Sequence, residues 1–275
     1  LDLCNPEVSE YIIDSMTKVF SSADIAYVKW DMNRIFSDYY SKYLKAQGRP
    51  QGETAHRYVM ALGRIMRTLT ERFPHILFEG CAAGGNRFDL GILCYFPQIW
   101  ASDNTDAVSR AYIQEGLSYG YPMSTVSAHV SACPNHQTLR VTPLSTRFNV
   151  AAFGICGYEC NLVDMSRAER SEIKTQIDIY KKWRHAMQFG SFYRQRTGNI
   201  HQWTVVDEEA GRAVGLIMQE LVRANTQNEE YYAVGLDPEA VYSFYNRPLK
   251  HNVKEFGDLI NTVAPIHIRQ GSLLH

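Results

Sequence analysis

Apolar positions along the chain recur in two alternating periods. Val8, Tyr11, Ile12, Met16, Val19 and Phe20 fall at helical spacing. A short apolar and aromatic run, Ala26 to Trp30, then reads as a buried strand that ends on Asp31. The stretch from Ser37 to Glu53, with Gly48, Pro50 and Gly52, reads as a polar loop. A second helix carries Tyr58, Leu62, Ile65, Met66 and Leu69 on one face. Strands are predicted at His75–Glu79, Gln98–Ser102, Ser124–Ala128 (running into His129) and Phe153–Glu159, with a helix over Thr105–Gly120. The capping box Ser166-Arg167-Ala168-Glu169 opens a long helix with the stripe Ile173, Ile177, Tyr180 and Met187, and Gly190 stops it.

The repeating unit is strand, loop, helix, about five times over, which predicts a parallel α/β architecture. A closed (β/α)8 TIM barrel needs eight such units. Either three strands lie before Leu1 or the sheet is open; the chain opens in mid-element, and the expectation is a fragment holding strands 4 to 8. From Ser191 the period changes. Gln202–Val206 and Arg212–Ile217 flank a turn at Asp207–Gly211, and Glu230–Leu236 with Ala240–Tyr245 reads as a second pair. The expected domains are therefore a partial catalytic barrel over 1–190 and the start of an antiparallel β-sandwich over 191–275. An incomplete barrel exposes sheet edges, so the chain alone is expected to be poorly soluble.

Composition changes this picture little. At 275 residues, 45% hydrophobic and 21% charged, the chain is of ordinary globular type. A net charge of -1 argues against nucleic acid or an anionic membrane as partner. No apolar run approaches the roughly 20 residues that span a bilayer, and no signal-peptide pattern is visible. Six cysteines without a CxxC pair point to reduced thiols in a cytoplasmic protein.

Candidate chemistry lies at strand ends. Asp31 follows Tyr27-Val28-Lys29-Trp30, and Asp103 follows Trp100-Ala101-Ser102. In a β/α barrel the C-terminal ends of strands form the reactive mouth. Two carboxylates there suit general acid/base or nucleophilic work on a sugar. Between them lies Gly80-Cys81-Ala82-Ala83-Gly84-Gly85, whose small residues allow a close backbone approach to a ligand. Asp89 and Asp106 read as structural, a turn or salt-bridge partner and a helix cap. His129, Cys133 and His136 fit no common zinc spacing and read as loop residues near the mouth. Cys81 has no triad partner in view, and Gly84-Gly85 is no GxGxxG fingerprint.

These segments, in this order, resemble family 36 glycoside hydrolases, the bacterial-type α-galactosidases. Tyr27–Arg34 is similar to the family's nucleophile segment, Cys81–Asp89 to its Cys- and Gly-rich segment, and Trp100–Ala107 to its acid/base segment. Ala128–Ser131 with Pro134–Gln137, and Phe153-Gly154 with Gly157–Glu159, resemble further family stretches. The likeness runs from Leu1 to about Gly190. It implies a retaining hydrolase of terminal α-linked galactose in oligosaccharides such as melibiose and raffinose, with Asp31 as nucleophile and Asp103 as acid/base. Lys29, Asn33, Cys81 and Gly84 would contact the galactosyl hydroxyls, with Trp30 also in the sugar site. No cofactor or metal is implied, and the full-length protein is expected to be a homo-oligomer. The family's earlier barrel strands and N-terminal sandwich add substrate contacts that this sequence lacks. A galactosyl transferase, an α-N-acetylgalactosaminidase and a catalytically silent carbohydrate-binding module are the alternatives.

Overall fold

The structure is a computed structural model that describes residues 1–33, 39–221, 224, 231–240 and 242. Strands and helices alternate: α1 (Pro6–Phe20), β1 (Tyr27–Asp31), α2 (Lys42–Ala46), α3 (Thr54–Arg72), β2 (Leu77–Cys81), α4 (Leu90–Leu93), β3 (Gln98–Trp100) and α5 (Ala107–Leu117). Then come β4 (Val126–Ser131), α6 (Leu144–Ala151), β5 (Ile155–Glu159) and α7 (Arg167–Phe189), followed by β6 (Ser191–Thr197), β7 (Ile200–Asp207) and β8 (Arg212–Gln219). One sheet has the order β1-β2-β3-β4-β5, with parallel pairing from β1 through β4; the other is antiparallel, β6-β7-β8. This is a parallel half-barrel sheet plus a small antiparallel sheet.

Two compact units divide the chain. The first comprises Leu1–Thr105 and Ser124–Ala128; the second holds Asp106–Met123 and the residues from His129 onward. In the first, the apolar faces of α1 and α3 cover β1 to β3. Ile13, Phe20, Leu62, Ile65 and Leu69 meet Phe78, Phe96 and Ile99, and the Phe78 and Phe96 rings stack 5.3 Å apart. Side-chain caps set the helix starts. Asn5 Oδ1 accepts from the Glu7 N–H ahead of α1, with Pro6 in its first turn, and Asp89 caps α4 through the Ile92 N–H. The second unit has its own core: Ala111, Val150, Phe153, Trp203, Val205, Leu216 and Met218.

The predicted elements over residues 6–20, 54–72, 98–100, 107–117 and 155–159 are present, and the reciprocal capping box of Ser166 and Glu169 forms at α7. Several details differ. Tyr11 and Val19 do not join the buried face of α1; they are 67% and 53% exposed. The 37–53 stretch is not wholly loop, because Ser41 caps α2 through the Leu44 N–H. β2 starts two residues late, since Ile76 N–H bonds back to Phe73 and closes a turn. His129 lies inside β4 instead of in a loop. Gly190 ends α7 in an extended conformation, where a β-carbon would lie 2.6 Å from the Val206 carbonyl oxygen. β6 was not expected, because its polar run Ser191–Thr197 becomes a strand only through pairing with β7. Tyr231–Leu236 is no strand: Gly235 turns at φ 88°, and the Tyr231 hydroxyl docks on Thr204 and the Trp203 carbonyl. Most of Ala240–Tyr245 lies outside the described residues.

Candidate active site

Parallel pairing puts the C-terminal ends of β1, β2 and β3 on one edge of the sheet. Asp31 and Cys81 end neighbouring strands and face each other in register. Asp103 follows β3 by three residues. Asp31 is exposed, and its Oδ2 accepts a 2.8 Å hydrogen bond from Asn33 Nδ2. Asn33 is itself fixed from the other side, where its Oδ1 accepts from the Ala83 N–H at 2.7 Å. The Met32 N–H bonds the Cys81 carbonyl, and Arg87 donates to the Met32 carbonyl. The segment after β1 is thus tied to the loop after β2.

That loop also reaches the acid/base candidate. Gly84 has φ +82°, and a β-carbon on it would sit 2.9 Å from Ser102 Cα and 3.3 Å from Asp103 N; one on Gly85 would meet the Ala101 carbonyl at 2.8 Å. The close backbone approach these glycines permit is therefore to the end of β3. Asp103 is exposed, and its Oδ1 accepts from the indole N–H of Trp100 at 2.9 Å.

Cys81 is buried, and burial pushes its thiol up to about 11; a hydrogen bond to Asp31 and that carboxylate's charge add to the effect, while a backbone hydrogen bond at Gly84 opposes it. A thiol raised this far stays protonated at neutral pH. Lys29 stands on the same face of β1 as Asp31. Its Nζ lies 3.7 Å from Glu79 Oε1 and 4.3 Å from the centre of the Trp100 ring.

Five of the expected site residues, Lys29, Asp31, Asn33, Cys81 and Gly84, stand with Asp103 on this edge. Trp30 does not. Strand alternation turns it to the opposite face, where it packs on the helix-covered core 5.9 Å from the Phe96 ring. Asp106 is buried as the N-cap of α5 and pairs with Arg140, and Asp89 caps α4. His129 Nδ1 lies 3.1 Å from Glu159, with its ring against Gly157. The six cysteines are all free. Among the described residues no helix is long and apolar enough to cross a membrane, and no group of three acidic, His or Cys side chains is placed to hold a metal ion. Glu79 and Trp100, which contact Lys29 and Asp103, were not among the expected site residues. The available signal was a glutamate set inside an otherwise apolar strand.

A parallel β/α sheet edge carrying two separately oriented carboxylates is an arrangement compatible with two-carboxylate sugar chemistry. The Melibiase family model matches residues 1–190. Alpha-galactosidase AgaA of Geobacillus stearothermophilus is 45% identical over 245 residues, 88% of this chain and 33% of the relative. Mel36A of Lactobacillus acidophilus is 43% identical over 88% of the chain and 33% of its own length. The crystal structure of the GH36 enzyme AgaA superposes with a TM-score of 0.83 at 46% identity, over 86% of this chain and 33% of that one. Variants of AgaA have been solved in complex with raffinose and with stachyose, at TM-scores of 0.83. This chain belongs to the Melibiase family. It spans about a third of the length of the curated relatives it matches.

Proposed function

We propose that the protein carrying this chain is a retaining α-galactosidase that releases terminal α-linked galactose from oligosaccharides of the melibiose and raffinose kind. The observation that supports this best is the pairing of Asp31 and Asp103 on one sheet edge, each held by its own donor and both tied to one glycine turn. Asp31 is the nucleophile. Asn33 holds one of its oxygens, so it meets the anomeric carbon in a fixed orientation. Asp103 is the acid that protonates the leaving oxygen and then the base that activates water. Because an indole N–H can only donate, Asp103 Oδ1 is the acceptor in its contact with Trp100. The two carboxyls of a retaining pair stand about 5–5.5 Å apart, with the sugar between them. Lys29, Asn33, Cys81 and Gly84 take the galactosyl hydroxyls. In this reading the half-barrel sheet is part of a closed (β/α)8 barrel over 1–190, and 191–275 begins an antiparallel sandwich domain. The protein works in the cytoplasm, as a homo-oligomer, without a cofactor.

The test uses the full-length protein on an aryl α-galactoside, with Asp31→Ala and Asp103→Ala. Both lose activity by about 10³-fold or more. Azide yields β-galactosyl azide with the first variant and α-galactosyl azide with the second. Full activity in either variant removes that residue from its role, and an inactive parent protein favours a carbohydrate-binding module.

A further inference from the structure

Beneath the mouth, each of the four parallel strands contributes one polar side chain to a single layer: the buried Glu79 from β2, Gln98 from β3 and Ser127 from β4, and at its edge the exposed Tyr27 from β1. Glu79 is 1% exposed. The Tyr27 hydroxyl donates to its Oε2, as does Gln98 Nε2 at 2.8 Å, and Gln98 Nε2 also lies 2.8 Å from Ser127 Oγ. The Lys29 ammonium stands on the Oε1 side, at 3.7 Å. Every one of these neighbours of Glu79 offers a proton, which is the set an acceptor-only carboxylate requires. A charge so deep is retained only when paired and hydrogen-bonded.

The layer is aligned with the site above it. Lys29 and Glu79 are paired in register, as are Glu79 and Gln98, and the next residues on the same face are Asp31, Cys81 and Trp100. Lysine is a flexible point charge, yet here its ammonium is fixed from two directions, by Glu79 below and the Trp100 ring beside it. A cation on an indole face is among the stronger cation–π contacts. The same indole donates to Asp103. The links run without a gap from Glu79 through Lys29 and Trp100 to Asp103.

We propose that Glu79 is a positioning residue of the glycosidase: it holds the Lys29 ammonium on the Trp100 ring and, through that ring, sets the orientation and proton affinity of Asp103. The proposal rests on the α-galactosidase reading. Without the Glu79 charge, the Lys29 cation is uncompensated and favours the ionised form of Asp103. The enzyme then loses its acid at lower pH.

The experiment measures kcat/KM against pH for an aryl α-galactoside, using the full-length protein and its Glu79→Gln, Glu79→Asp, Lys29→Met and double Glu79→Gln/Lys29→Met variants. Glu79→Gln should lower kcat/KM at neutral pH by about ten-fold and move the alkaline limb down by about half a pH unit or more. Glu79→Asp, which keeps the charge one methylene further away, should move the limb the same way by less; it also serves if the glutamine variant does not fold. Lys29→Met should move the limb up, and in that background Glu79→Gln should add little. An unmoved limb with a uniform fall in activity, or additive effects in the double variant, overturns the positioning role while leaving the α-galactosidase reading intact. An inactive parent protein overturns both.

Discussion

Cys81 is a free, buried thiol between the nucleophile candidate and the glycine turn, and its surroundings decide what it can do. With its thiol pushed up to about 11, only about one molecule in a thousand is a thiolate at pH 8. Iodoacetamide should therefore modify the exposed Cys94 and Cys133 well before Cys81. The rate at Cys81 should climb with pH until about 11, as followed by peptide mass spectrometry; prompt labelling of Cys81 at pH 7 would contradict its assignment as a protonated thiol. Gly84 is constrained differently, by its left-handed backbone and by Ser102 Cα at 2.9 Å from any added β-carbon. Gly84→Ala should cost about 1–3 kcal/mol in denaturant unfolding and lower kcat as well, because the strained loop touches Asp103. At this scale the sequence is a good guide to where residues at strand ends lie, such as Asp31 and Asp103. It is a poorer guide to Glu79: a glutamate inside an apolar strand hints at burial, but the donors that meet its carboxylate come from β1 and β3. Trp30 went astray by one step of strand alternation: the residue after Lys29 necessarily faces the other way.

Elements defined by contacts three or four residues apart were the most legible. The Ser166–Glu169 pair is such a case, with the Ser166 Oγ accepting from the Glu169 N–H at 3.2 Å and the Glu169 carboxylate reaching back to the Ser166 N–H at 2.9 Å. Those hydrogen bonds to Ser166 bring the Glu169 carboxyl below its usual range. Ser166→Ala should cost about 1 kcal/mol of stability, read from the midpoint of a urea transition at constant slope. No change would mean that α7 is held by packing alone. Elements defined by distant partners were less legible. β6 carries Arg194, Gln195 and Arg196 and gains its strand form from seven residue pairings with β7. The Tyr231 segment has strand-like composition, but the tyrosine's hydroxyl finds its partners on β7.

On the scale of the whole chain, the second unit contains a polar array that no motif announced. His201 is fully buried, with Nδ1 2.8 Å from Glu115 and Nε2 2.7 Å from Glu220. Burial pushes the Glu220 carboxyl up, but hydrogen bonds from Tyr112 and His201, with the His201 charge, bring it net below its usual value. A carboxyl lowered by folding stabilises the fold above its unfolded pKa of about 4.3, and that contribution fades as pH falls through the folded value. Glu220→Gln should therefore flatten the dependence of stability on pH in the acid range, measured by thermal unfolding from pH 6 downward; an unchanged slope would remove Glu220 from the acid response. In the first unit, β1 is the outermost strand of the described sheet, with Tyr27, Lys29 and Asp31 exposed. Such an edge invites pairing with another copy. The 275-residue chain expressed alone should associate with rising concentration in light scattering, and a monodisperse monomer would refute this.

The turn at Gly84 and Gly85 leaves a last consequence. Its backbone lies against Ala101–Asp103 on one side, and its neighbour Ala83 grips Asn33, the partner of Asp31, on the other. It links the backbone that carries Asp103 to the side chain that holds Asp31. Retention and inversion at the anomeric carbon are separated by as little as about 1 Å in the spacing of the two carboxylates. In the proposed retaining enzyme the face of the anomeric carbon that water enters depends on that spacing, and two β-carbons that the chain leaves out are what let the turn lie this close to Asp103.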